Sequence, residues 1–224
     1  MMKNLDLSIS FSKENNDFLT PSLEDFLKAI ESGDLSRVEY YISVGVDVNS
    51  PPHLDIMPPL GYAIAYGYTD IVKTLLKAGA EVHDFFIAQL PHLPSIVEVA
   101  NQEVYDILTL LIEAGIDINF PLEEEDTLLH KAIEDRDLPF VDFLIKAGAD
   151  VNVRNQYGWT PLMSTAFFVD TSSHGIYTQL EIVKFLLEHG ADIELKDNRG
   201  KNVLELAEED EIHKEVIELL EKNI

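Results

Sequence analysis

Five glycines set the frame of this chain. Gly45, Gly79, Gly115, Gly148 and Gly190 stand 34, 36, 33 and 42 residues apart. Each closes an amphipathic stretch and opens a similar tail, as in Val46-Asp47-Val48-Asn49, Ile116-Asp117-Ile118-Asn119 and Ala149-Asp150-Val151-Asn152. A period of this length belongs to a stacked array, in which no unit buries its apolar face alone and each neighbour completes the core of the next. Sixteen residues before the first four glycines stand Ala29, Ala63, Val99 and Ala132, small enough for one helix to sit close against another. The fifth unit breaks this register, because Thr165 precedes Gly190 by 25 residues.

Within a unit, the apolar positions divide into two short helical faces. Leu129, Ala132 and Ile133 form the first, and Phe140, Val141, Leu144 and Ile145 the second, at the three-and-four spacing of a buried stripe. Helices of about ten residues are marginal in isolation, so stacking must hold them. Gly148 then supplies the left-handed conformation that ends a helix. The predicted unit is helix, turn, helix, glycine stop and a polar hairpin-like connection.

Asn155-Gln156-Tyr157-Gly158-Trp159-Thr160-Pro161-Leu162-Met163 closely resembles the ankyrin repeat. Thr127-Leu128-Leu129-His130 is similar to that family's Thr-Pro-Leu-His, and Gly200-Lys201-Asn202-Val203-Leu204-Glu205-Leu206-Ala207 looks like a terminal repeat. The resemblance covers residues 23–224 and implies an all-α ankyrin-repeat solenoid of about six repeats, starting near Leu23, Ser50, Asp84, Phe120, Val153 and Leu195. The outermost units are degenerate, since their outer faces meet water. Ser22, after Pro21, is placed to cap the first helix through the amide of Asp25.

Two repeats depart from the pattern. The second has Met57-Pro58-Pro59-Leu60-Gly61 and lacks the Thr and His that tie the turn to the helix; the third has Leu93-Pro94-Ser95-Ile96-Val97 after a longer connection. In the fifth, extra residues fall near 167–179, between its two helices, and are expected to project from the solenoid. Residues 1–22 form an N-terminal extension or cap, in which Leu5, Leu7, Ile9 and Phe11 alternate as in a half-buried strand; a flexible tail is the alternative.

Composition narrows the function. Asp and Glu number 41 against 16 Lys and Arg, a net charge of −25, which repels a phosphate backbone and argues against nucleic-acid binding. Cysteine is absent, which removes disulfides, thiolate metal sites and cysteine nucleophiles and fits a reducing cytoplasm. No stretch approaches the roughly 18 apolar residues of a membrane span. Asp170, Ser172, Ser173 and His174 have the composition of a hydrolytic triad, but five positions of one loop do not supply its rigid support or oxyanion hole. The histidines lack zinc spacing, and Glu123-Glu124-Glu125-Asp126 lacks the alternation and central glycine of a calcium loop. No cofactor, metal or catalytic residue is assigned.

Binding remains. In the family that the motifs resemble, partners lie along the concave face, against hairpin tips and the positions after the small residue of each first helix. Carried over by position, this selects Tyr66, Glu134, Asp135, Phe167 and Phe168 on helices, and Glu123, Glu124, Asp126, Gln156, Tyr157 and Trp159 at tips. Trp and Tyr are frequent interface anchors, although Trp159 could equally pack against a neighbouring tip. The expected function is a non-catalytic, cytoplasmic, monomeric module that binds a protein with a basic or mixed patch. The alternatives are an immunity-type inhibitor of a basic enzyme, a pathogen effector, and a hydrolase using the inserted loop.

Overall fold

The computed structural model describes residues 22–50, 57–92, 102–167, 173–209 and 214–223. Eleven α-helices and no strand occur among these residues. They pair as the glycine period requires: α1 (Leu23–Glu31) with α2 (Leu35–Ser43), α3 (Pro59–Ala65) with α4 (Thr69–Lys77), α6 (Leu128–Glu134) with α7 (Leu138–Lys146), and α10 (Val203–Glu209) with α11 (Lys214–Glu221). In the third unit α5 (Gln102–Glu113) is the second helix, and in the fifth α8 (Pro161–Ser164) precedes α9 (Ser173–Glu188). First helices pack on first helices along the stack, α1 on α3 and α6 on α8.

The small residues explain why the helices pack this closely. Ala29, Ala63, Ala132 and Thr165 are all buried, and the three alanines belong to one core that runs through the units. The carbonyls of Ala29, Ala63 and Ala132 each accept the amide that opens the second helix, from Asp34, Tyr68 and Asp137 at 2.9, 3.0 and 2.9 Å. Just before that amide the backbone turns left-handed, at Gly33 (φ 69), Gly67 (φ 74) and, in the fourth unit, Arg136 (φ 59). An arginine thus holds a conformation that glycine holds in the first two units.

Helix starts follow the local chemistry. The Ser22 hydroxyl accepts the Asp25 amide at 3.1 Å, as expected, and Thr160 accepts that of Met163 at 3.3 Å with Pro161 in the first turn. Pro58 and Pro59 open α3 with no side-chain cap, so the irregular second repeat begins its helix through proline geometry alone.

Beyond four of the five helix-stop glycines, a side chain reaches the main chain at or just after the next one. The Asn49 amide donates to the Gly79 carbonyl at 3.0 Å and its oxygen accepts the Glu81 amide at 2.8 Å. Asn152 repeats both bonds, to Gly190 and Asp192, and Asn119 accepts the amide of Asp150 at 2.8 Å. His83 stands where asparagine would, and the next residue, Asp84, accepts the Asp117 amide at 2.9 Å instead. A carboxylate only accepts, so this link lacks the second bond.

Two connections differ from expectation. Residues 173–179, assigned to a projecting insertion, are the opening turns of α9, and Gln179 is buried with its amide donating to the Thr165 carbonyl at 2.8 Å. The extra residues at 173–179 therefore lengthen a helix. Before α5 the third unit carries a 3-10 segment, Asp84–His92, whose Phe86, Ile87 and Leu90 are buried and which packs on α3. Val99 and the proposed N-terminal strand lie outside the described residues.

Candidate partner-binding groove

Three hairpin tips are closed by the same bond across four residues: Leu122 to Asp126 at 2.7 Å, Asn155 to Trp159 at 3.0 Å and Asp197 to Lys201 at 2.8 Å, amide to carbonyl. In the last two, the first residue is an Asx cap. Asn155 Oδ1 accepts the amides of Tyr157 and Trp159, each at 3.0 Å, and Asp197 Oδ1 accepts those of Arg199 and Lys201 at 2.8 and 2.9 Å. Burial alone would push the Asp197 carboxyl up, but these amides and the Arg199 guanidinium hold it below the ordinary carboxylate range. Leu122 offers no such oxygen. The fourth tip instead bends through two left-handed residues, Glu124 (φ 59) and Glu125 (φ 60), the latter in register with Gly158 (φ 77) and Gly200 (φ 82).

The tips are zipped together by main-chain and side-chain bonds. The Gln156 amide donates to the Glu124 carbonyl at 2.9 Å, the Asn198 amide to the Tyr157 carbonyl at 3.0 Å, and Asn155 Nδ2 to Asp126 Oδ1 at 2.8 Å. Below them, His130 is 2% exposed and joins two units. Its Nδ1 accepts the Thr127 amide at 3.2 Å, which leaves Nε2–H to donate to the Trp159 carbonyl at 3.2 Å. Burial lowers the pKa of this imidazole, with the Asp126 charge opposing, so the neutral ring is favoured. The structural role expected of His130 is present and reaches further than the single turn.

Between the tips and the end of α6 lies a groove of about 280 Å³, walled by Glu124, Asp126, Glu134, Tyr157 and Trp159 with Lys131 among them. Lys131 Nζ bridges Asp126 and Glu134, both at 3.1 Å. Its own burial works against the charge, yet these bonds outweigh it and hold its pKa above the usual lysine range. Tyr157 is 41% exposed, with its ring centroid 5.1 Å from that of Trp159. Trp159 is half-buried against the core, so it serves the tip packing and the groove wall at once. Asp135 ends α6, where burial raises its carboxyl pKa and repulsion from Glu134 and Asp137 adds to the effect.

Five of the predicted residues thus meet in one groove. Glu123 and Gln156 are exposed on the same two tips. Tyr66 belongs elsewhere, at the end of α3 in the second unit, where it stacks on Tyr68 at 5.8 Å. Phe167 ends a 3-10 turn after α8; its side chain, all of Phe168 and the pair Asp170 and Ser172 lie outside the described residues. Arg136, Asn155 and Ser164 also line the groove and were not singled out from the sequence. All three non-glycine residues with positive φ among the described residues, Glu124, Glu125 and Arg136, are in the fourth unit, and two of them line the groove. Strain of this kind, on the order of 1–3 kcal/mol per residue, collects at functional surfaces.

Sequence models for ankyrin repeats match residues 57–85 as a single repeat and 96–197 as three copies. The chain belongs to the ankyrin-repeat family. YahD of Escherichia coli strain K12, named for its ankyrin repeats, is 31% identical over 186 residues, which cover 83% of this chain and 89% of that protein. The phosphocholine transferase AnkX of Legionella pneumophila is 24% identical over 231 residues and the palmitoyltransferase AKR1 of Lachancea kluyveri 34% over 175, but the match covers only 24% and 22% of those proteins. Among solved structures, the ankyrin repeat protein EF0377 superposes with a TM-score of 0.67 at 22% identity, covering 90% of this chain and 98% of that one, which supports the fold.

Among the described residues no group of three or more His, Asp or Glu side chains is arranged to hold a metal, and no helix is long and apolar enough to cross a membrane. Ankyrin repeats are a protein-interaction fold, and the array is of that type.

Proposed function

We propose that this ankyrin array is a non-catalytic, cytoplasmic, monomeric module that captures a partner protein in the groove between its fourth and fifth units. The observation that carries the reading is the coincidence of strained backbone and exposed aromatic surface there. Glu124 and Arg136 hold left-handed conformations on one side, and Tyr157 stands open on the other. The partner presents a basic or mixed patch, since carboxylates outnumber cations both in the groove lining and in the chain. Absence of cysteine fits a reducing compartment.

The test is co-purification of the tagged full chain from its native host. Tyr157→Ala and Trp159→Ala are expected to lose the partner by tenfold or more, on the order of an interface anchor. Tyr40→Ala, at a position 59% exposed on α2, is expected to retain it. A partner kept by both groove variants overturns the assignment.

A second reading is favoured by the net charge of −25: the partner is a basic enzyme whose active site the acidic groove covers. Capture would then weaken steeply as salt is raised and the partner's activity would fall on binding. Salt-independent capture with full partner activity rejects it.

A further inference from the structure

The groove is chemically narrower than a negative surface. Its volume, about 280 Å³, falls just below the roughly 300–1,000 Å³ of small-molecule sites and suits a single long side chain. One wall is the tilted pair Tyr157 and Trp159, with 38° between ring planes. Another is Glu124, whose carboxylate takes no hydrogen bond or ion pair from the described residues. Asp126 and Glu134 are already bridged by Lys131, and Glu134 still leaves 66% of its side chain in solvent. Glu123, Glu125 and Asp135 stand exposed nearby and add to the negative field that Lys131 and Arg136 only partly offset.

We infer that the groove seats the guanidinium of an arginine carried on an exposed segment of the partner, stacked on Tyr157 and Trp159 and hydrogen-bonded to Glu124. This rests on the partner-binding reading above and names the chemistry that the groove selects. A planar guanidinium covers an aromatic face while its N–H groups still point outward in the plane to a carboxylate. An ammonium presents a compact, strongly hydrated charge and satisfies one contact at the expense of the other. An apolar side chain would leave Glu124 desolvated without a partner, and an anion would meet like charge.

Trp159 is the chain's single tryptophan, so one indole N–H resonance reports on the wall directly. The full chain is titrated with the peptide acetyl-Gly-Ser-Arg-Ser-Gly-amide and with matched peptides carrying lysine, citrulline or glutamate in place of arginine. The arginine peptide is expected to shift the indole resonance saturably, with the lysine peptide at least about threefold weaker and the citrulline and glutamate peptides silent. Glu124→Gln and Tyr157→Ala are expected to weaken the arginine peptide about fivefold or more, while Glu24→Gln, exposed on α1, leaves it unchanged. Equal binding of citrulline or lysine, equal weakening by Glu24→Gln, or no shift with any peptide overturns the inference. The partner-binding reading is judged separately, by whether the co-purified partner depends on Tyr157 and Trp159.

Discussion

The imidazole of His130 reaches out of the fourth ankyrin unit to the main-chain carbonyl of Trp159 in the fifth, 3.2 Å away, while its other nitrogen holds the Thr127 amide of its own turn. One buried ring therefore sets both the start of α6 and the position of the groove's aromatic wall.

His130→Ala leaves the Thr127 amide and the Trp159 carbonyl without this partner and opens a cavity at a residue 2% exposed. The expected cost is about 2–4 kcal/mol, read as a loss of denaturant midpoint. The indole resonance of Trp159 should move as well, since its own carbonyl is released.

The same ring makes stability pH-dependent. Its folded pKa lies below the ordinary 6.5, so the unfolded chain takes up the proton first as pH falls. The His130 contribution is complete above about pH 6.5 and is lost as pH drops toward the folded pKa. The melting temperature of the wild-type chain should fall more steeply between about pH 6.5 and 5 than that of His130→Ala. Parallel slopes would show that His130 is not the group responsible.

Gly158 and Gly45 separate two costs of adding a methyl group. At Gly45 (φ +89) a Cβ would meet nothing within 4 Å, so Gly45→Ala bears only the left-handed penalty, about 1 kcal/mol. At Gly158 (φ +77) it would lie 2.5 Å from Asn198 Oδ1 and 2.9 Å from the Asn198 main-chain nitrogen. Gly158→Ala is expected to cost about 2–4 kcal/mol and to part the fifth tip from the sixth. Equal losses in thermal unfolding would contradict this.

Glu125 occupies the register of Gly158 and Gly200 at φ 60. Glu125→Gly removes the steric penalty at the price of a more flexible unfolded chain, and a net gain of about 0.5–1 kcal/mol is expected. Because Glu125 is not in the groove lining, the arginine peptide should still bind the variant within about twofold, the loss expected from one flanking charge in salt.

The repeat was legible because its determinants are local. A glycine that ends a helix and an alanine that lets two helices touch act within one unit, and both recur in register. Ser22 and His130 were readable for the same reason. What escaped was set by comparison between units. Arg136 in the register of Gly33 and Gly67, and Glu125 in that of Gly158, were visible only once the turns were aligned residue by residue. The helical part of the insertion had a sequence signal, since Ile176 continues the spacing of Leu180, Val183 and Leu187, but a long gap between helices suggested a loop. Tyr66 was chosen by a rule that treats every unit alike, whereas the groove depends on which two tips carry aromatic and acidic residues together.

The row of side chains beyond the helix-stop glycines runs one way. Asn49, Asn119 and Asn152 each serve the main chain of the unit that follows, and Asp84, at the start of the third unit, serves Asp117 at its end. Synthesis also proceeds in that direction, N-terminal segments emerging first. Each of these links is therefore carried by the segment that is made first.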